Sequence, residues 1–326
     1  MKTTYDFIDS NTRKTILLIA LFPLSLAVIT YFSMLLFSYF YMAEQKYEFV
    51  SVKSVFNYAD AYFFYVFGIV LIFSALWTLI SYYSGHKFIL SSLNSRQADP
   101  DKDKEIIRIV ENTAITAGIP APKTYIIEDS ALNAFATGRN PQNSYIALTS
   151  GLIEKLDKTE LEGVIAHETA HIENSDTKLM LIIILVIGFF TLVGNLLMRM
   201  PSRGKGRNRG AVIIFIIGLI LYLYGTVIAP LIRLAISRRR EYQADATAAL
   251  LTRNPQGLIS ALKKITQNPR VEAFQGKESM SHMCIENPLR ENINLFDSLA
   301  GIFSTHPPVA DRIKALEEMD GIYWAK

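Results

Sequence analysis

Cysteine is almost absent: Cys284 is the only one in 326 residues. An intrachain disulfide is therefore excluded, the fold needs no oxidising compartment, and any metal must be held by other ligands. Histidine is scarce as well, with five in the chain. No charge of one sign dominates. The 33 basic and 30 acidic residues leave a formal charge of +3, and the basic ones are scattered among acidic neighbours, which argues against nucleic acid as a partner. No internal repeat or low-complexity tract is present. Half of the residues are hydrophobic, and that excess is where the organisation of the chain begins.

Four stretches carry no charged residue: Thr15–Tyr41, Ala61–Gly85, Leu179–Met198 and Gly210–Ile232. Each reaches the roughly 20 helical residues that cross a hydrocarbon core of about 30 Å. The first follows Arg13 and Lys14 but is far longer than the roughly 7–15 apolar residues of a cleaved signal, so it reads as a retained anchor. The second has Tyr62, Phe63, Phe64 and Tyr65 at one end and Trp77, Tyr82 and Tyr83 toward the other, where rings sit at the two interfaces. Gly188, Gly194 and Gly218 allow close helix packing in the last two. The expected layout is a hairpin over 1–86, spanning about 15–41 and 61–85. A soluble-type domain over 87–326 follows, interrupted by a second hairpin at about 179–198 and 210–232.

The segment between the second and third spans has ordinary soluble character. A helix carries Ile106, Ile107, Val110 and Ala114 and ends at Gly118 and Pro120. Strands are expected at Thr124–Ile127 and Ser144–Thr149, separated by turn-prone Gly138, Asn140 and Pro141. Asp157 and Glu160 stand in capping-box spacing ahead of Leu161, Val164 and Ile165, which opens a strong helix. The fold class is α+β, predominantly helical, with four membrane spans.

That helix carries His167-Glu168-Thr169-Ala170-His171, the pattern H-E-x-x-H. Residues four apart share a helix face, so both imidazoles reach one metal, while Glu168, about 100° around, addresses a water polarised there. Zinc suits nitrogen and oxygen donors and keeps an open position in catalytic sites. Glu168 then takes a proton from the water and passes it to the leaving amine. A surface helix can carry such residues with no catalytic role, but chance places five histidines this way on the order of once in a hundred chains.

A third ligand is needed. The best candidate lies in Arg238-Arg239-Arg240-Glu241-Tyr242-Gln243-Ala244-Asp245, where Glu241 and Asp245 share a face. Glu241 would bind the metal while Asp245 accepts a hydrogen bond from a ligand histidine. An ordinary solvated charge cluster is the alternative for such a segment.

Several ordered motifs together resemble one family. His167–His171, the run Arg240–Asp245, Asn133-Ala134-Phe135-Ala136-Thr137-Gly138, and Ser304-Thr305-His306-Pro307-Pro308 followed by Arg312-Ile313 are similar to the HtpX family of membrane metalloproteases, relatives of the CaaX prenyl endopeptidases. The resemblance covers about residues 100–320. It implies a zincin-like domain with one Zn2+ per subunit at His167, His171 and Glu241, Glu168 as general base, and polypeptide substrates, chiefly misfolded or damaged membrane proteins. A catalytically inactive zinc-binding scaffold is the alternative, for which Glu168 would be superfluous.

The remaining residues carry less. His306, before two prolines that suit a helix start, is a packing or capping residue or a neighbour of the zinc. His86 and His282 read as structural or exposed, and Cys284, between Met283 and Ile285, as an inert thiol. Substrate is expected to pair as an extended strand with an edge around Asn133, Ala134, Phe135 and Ala136, or around Ser144–Leu148. Both halves of the metal site flank the second hairpin and must share one side of the membrane. A cytoplasmic placement at a bacterial inner membrane sends Arg199, Arg203, Lys205, Arg207 and Arg209 outward, against the positive-inside tendency.

Overall fold

Long charge-free runs become long helices. In the computed structural model, which describes residues 4–44, 50–200, 209–235, 238–266 and 307–323, α1 (Thr4–Glu44) and α2 (Val52–Ser92) have 41 residues each. At 1.5 Å per residue each is about 60 Å long, well beyond the hydrocarbon core. With α6 (Asp176–Met198), they are the three helices among the described residues long and apolar enough to cross a membrane. The fourth expected span falls in α7 (Arg209–Ala235), whose described apolar part is Gly210–Thr226. Phe64 and Tyr65 of α2 are 78% and 76% exposed. In water such a surface would aggregate, whereas lipid matches it.

The chain divides into two units, residues 15–82 with 182–229, and residues 1–14, 83–181 and 230–326. In the first, α6 and α7 meet backbone to backbone: a Cβ on Gly194 would lie 2.7 Å from the Gly218 carbonyl oxygen. Gly188 faces open space and takes no part. Trp77 donates its indole N–H to the Leu185 carbonyl at 3.2 Å, tying α2 to α6.

The second unit holds β1 (Ser95–Gln97), α3 (Lys104–Ala117), β2 (Lys123–Ile127), β3 (Ala134–Asn140), β4 (Asn143–Thr149), α4 (Ser150–Lys155), α5 (Lys158–Glu173), α8 (Arg238–Thr252), α9 (Pro255–Ile265) and α10 (Val309–Tyr323). Gly118 ends α3 in the left-handed conformation, φ 69°, donating to Ala114 and Ile115, as a Cβ-free cap does. The strands run in the order β1-β2-β4-β3, with β2 and β4 parallel and the outer pairs antiparallel. The two expected strands are β2 and β4, but the turn-rich segment between them holds a third, β3. Its Gly138 adopts φ 146° at a bulge, where a Cβ would press within 2.7 Å of Ser144 Cα. Because β4 is flanked by β2 and β3, Ser144–Leu148 is not an edge; β3 is the outer strand.

Helix α5 runs through the core. Its capping box forms as expected, with Glu160 N–H on Asp157 Oδ1 and Asp157 N–H on Glu160 Oε2, both 2.9 Å. Glu160 also accepts from Ser260 at 2.7 Å and Lys264 at 2.6 Å, which fastens the start of α5 to α9. Val164, Ile165 and Ile172 are fully buried, each contributing about 1.5–3 kcal/mol by burial. Gly163 admits α9 so closely that a Cβ would lie 2.7 Å from Leu258 N. Held on these sides, α5 is a rigid platform for the side chains it presents.

Candidate metal centre

His167 and His171 lie one turn apart on α5 and point their Nε2 atoms together, 3.2 Å apart. Glu241, in the first turn of α8, closes the group: its Oε2 is 3.8 Å from His167 Nε2 and its Oε1 is 3.8 Å from His171 Nε2. Tetrahedral bonds of 2.0–2.1 Å place ligand atoms about 3.3 Å apart. The three donors therefore match the span of one small divalent cation, and among the described residues they form the one such cluster.

Each of the two histidines is held from behind. His167 Nδ1 meets Asp245 Oδ1 at 2.9 Å, and His171 Nδ1 meets Asp176 Oδ2 at 2.8 Å. A hydrogen bond from Nδ1–H fixes the tautomer and leaves the Nε2 lone pair facing the metal position. Each carboxylate in turn accepts from a buried guanidinium, Arg312 on Asp245 and Arg240 on Asp176. Sequence reasoning anticipated Asp245 and missed Asp176, Arg240 and Arg312 as parts of the site. Asp176 sits just beyond Ser175, whose φ of 58° breaks α5 from α6 and turns the carboxylate back toward His171.

The charges fit a dication. Around the two rings lie four buried carboxylates, Glu168, Glu241, Asp176 and Asp245, and two buried guanidiniums, Arg240 and Arg312. With both rings neutral the cluster carries two excess negative charges, which one divalent cation balances; buried charge left uncompensated is very costly. Without metal the rings respond differently. Burial pushes His167 down to about 4, outweighing Asp245. Burial also opposes charge on His171, but the Asp176 hydrogen bond and the Glu241, Asp176 and Glu168 carboxylates prevail and push it up to about 9. Asp245 is held at about 2, because Arg312 and His167 overcome the effect of burial. Glu168, next to His167 on α5, is 2% exposed.

The other expected positions divide. Ala134, Phe135 and Ala136 lie on the outer strand β3 but are 6% exposed or less. Asn133 precedes that strand and accepts from Ala134 N–H at 3.0 Å. His86 stacks on Tyr145, with ring centroids 4.3 Å apart and planes at 11°. His306, His282 and Cys284 fall outside the described residues.

A helical chain with membrane-length spans and an H-E-x-x-H helix completed by a glutamate is a membrane-bound metalloprotease. Residues 100–320 match peptidase family M48, and the chain belongs to that family, among the HtpX proteases. It is 37% identical over 315 residues to "Protease HtpX homolog" of Bacteroides fragilis (strain YCH46), covering 95% of this chain and 96% of that one. It is 37% identical over 327 residues to the protein of the same name in Thermoanaerobacter pseudethanolicus, covering 98% of each. The crystal structure of S. mikatae Ste24p aligns with a TM-score of 0.46 at 21% identity, covering 78% of this chain and 58% of that one.

Proposed function

We propose that this chain is a zinc-dependent endopeptidase of a bacterial inner membrane that cleaves misfolded or damaged membrane proteins. In this reading His167, His171 and Glu241 hold one Zn2+ per subunit, and residues 87–326 form the peptidase, interrupted by the second membrane hairpin. The observation that carries it is the convergence of three ligand atoms whose two rings are each locked by a carboxylate at 2.8–2.9 Å.

Bound zinc supplies Lewis acidity that polarises the scissile carbonyl and acidifies water. The chain's own residues do the rest. Asp245 and Asp176 orient the rings and fix their tautomer, so that each Nε2 faces the metal position. Glu168, outside the row of the ligands, takes the proton of the attacking water and delivers it to the leaving nitrogen. It is buried beside these charges, where water screens little. An extended substrate pairs with β3 near Ala134–Ala136, main chain to main chain, giving broad sequence tolerance; the burial of that edge means that pairing first displaces its cover.

Two residues, Asn174 and Ser175, separate the ligand helix from a membrane-length helix, which supports preference for loops and tails of membrane proteins. The catalytic parts face the cytoplasm. The test is to compare cleavage of an unfolded membrane protein and a folded soluble one by purified enzyme in detergent with zinc. Faster cleavage of the first supports the reading, and equal cleavage refutes the preference.

A further inference from the structure

Arg312 is 0% exposed, an unusual setting for a guanidinium, which is rarely fully buried unless paired. It comes from α10, at a separation of 67 residues from Asp245 and 145 from His167. Its contacts are specific. Nε donates to Asp245 Oδ2 at 2.8 Å and Nη2 to Asp245 Oδ1 at 2.6 Å. Nη2 also lies 3.5 Å from His167 Nδ1, close enough to exclude water but too long for a strong bond.

Asp245 Oδ1 therefore faces two donors at once, Arg312 Nη2 and His167 Nδ1, while Oδ2 is taken by Arg312 Nε. A carboxylate turns easily about its last side-chain torsion, which is broad and roughly two-fold. The bidentate fork removes that freedom, because two parallel N–H bonds fix the carboxylate plane as well as its position. With Oδ2 occupied, the acceptor direction left to Oδ1 is the one that meets the imidazole. The other ligand repeats the arrangement: Arg240 Nη1 donates to Asp176 Oδ1 at 2.9 Å, leaving Asp176 Oδ2 for His171. A tie between α10 and α8 alone could sit anywhere along the two helices. This one uses the carboxylate that orients a ligand.

We propose that Arg312 is a positioning residue of the metal centre: by holding Asp245 it fixes the His167 ring, so that the C-terminal helix α10 is part of the catalytic apparatus. The proposal rests on His167, His171 and Glu241 being the metal ligands. Lysine keeps the charge but loses the fork, so Arg312→Lys separates positioning from ion pairing.

The experiment uses full-length protein in detergent, as wild type, Arg312→Lys, Arg312→Gln, Asp245→Asn/Arg312→Gln and Glu241→Ala. Four quantities are read: Zn2+ affinity by chelator competition, the visible spectrum of the Co2+-loaded protein, melting of the metal-free protein, and kcat and KM on an unfolded polypeptide. Arg312→Lys is expected to melt near wild type, bind zinc about tenfold more weakly, as orienting partners of ligands do when lost, alter the cobalt spectrum and lower kcat more than KM. Arg312→Gln strands a buried Asp245 and melts early. The double variant removes both charges, recovers melting and leaves zinc affinity low. Wild-type zinc affinity and cobalt spectrum in Arg312→Lys, or their recovery in the double variant, would overturn the proposal and leave Arg312 a fold-stabilising tie. If Glu241→Ala binds zinc as wild type does, the ligand assignment itself is wrong and the positioning role falls with it.

Discussion

Zinc binding at neutral pH should release one proton, from His171. In the metal-free protein His167 sits at about 4 and is already neutral, whereas His171 sits at about 9 and is charged. A metal cannot bind the ring until that proton leaves. At pH 7 the two-unit gap costs about a hundredfold in apparent affinity, or about 2.7 kcal/mol, and affinity rises about tenfold per pH unit until it levels near pH 9. Asp176→Asn removes the hydrogen bond that holds the proton and also the partner that orients the ring. The second effect weakens binding by about 10–100-fold, while the first relieves proton competition by a similar factor at pH 7. The variant should thus be much weaker than wild type at pH 9 and nearer to it at pH 7, with less than one proton released. Calorimetric titration of metal-free protein with Zn2+ in buffers of different ionisation enthalpy counts the protons. No proton released by wild type at pH 7 would refute the electrostatic account of the site.

The same charges set the stability of the metal-free fold. His171, raised from 6.5 to about 9, stabilises fully below pH 6.5 and loses this as pH rises through 9; Asp245, lowered from 3.8 to about 2, stabilises above pH 3.8 and loses this as pH falls through 2. His167, lowered from 6.5 to about 4, costs stability as pH falls from 6.5 toward 4, so the melting temperature of metal-free protein should peak near pH 6.5, and a maximum near pH 9 would contradict the assignment. Gly163→Ala should destabilise by about 1–3 kcal/mol through the clash with Leu258, while Gly188→Ala, facing open space, should not; equal melting of the two variants would count against the α5–α9 packing. With Cys284 replaced, cysteines at positions 150 and 310 should resist membrane-impermeant labelling from outside intact cells, and modification of either would reverse the proposed orientation.

What the sequence disclosed follows the range over which each feature is encoded. The convergence of His167 and His171 on one helix face and the capping box of Asp157 and Glu160 depend on spacings within one or two helical turns, which the chain displays directly. The apolar runs give long helices because length and absence of charge suffice. Strand β3 was hidden because Gly138 and Asn140, read as turn residues, serve a bulge inside a strand, and β1 has only three residues to show any pattern. Asp176 lies five residues past His171, beyond the reach of one helix, and becomes its partner only through the left-handed turn at Ser175. Arg312 reaches Asp245 through tertiary folding across 67 residues, a distance at which no periodicity operates; its motif marked the family without revealing the contact.

The central claim is that the cluster binds the metal while Glu168, which is not a ligand, moves the proton. The most direct measurement is zinc content paired with peptide hydrolysis for purified Glu168→Gln. Glutamine keeps the shape of the side chain and removes its basicity, so the account predicts one zinc per chain, as in wild type, with hydrolysis reduced by about 10²–10⁴-fold. Hydrolysis at the wild-type rate in the fully metallated variant would contradict it.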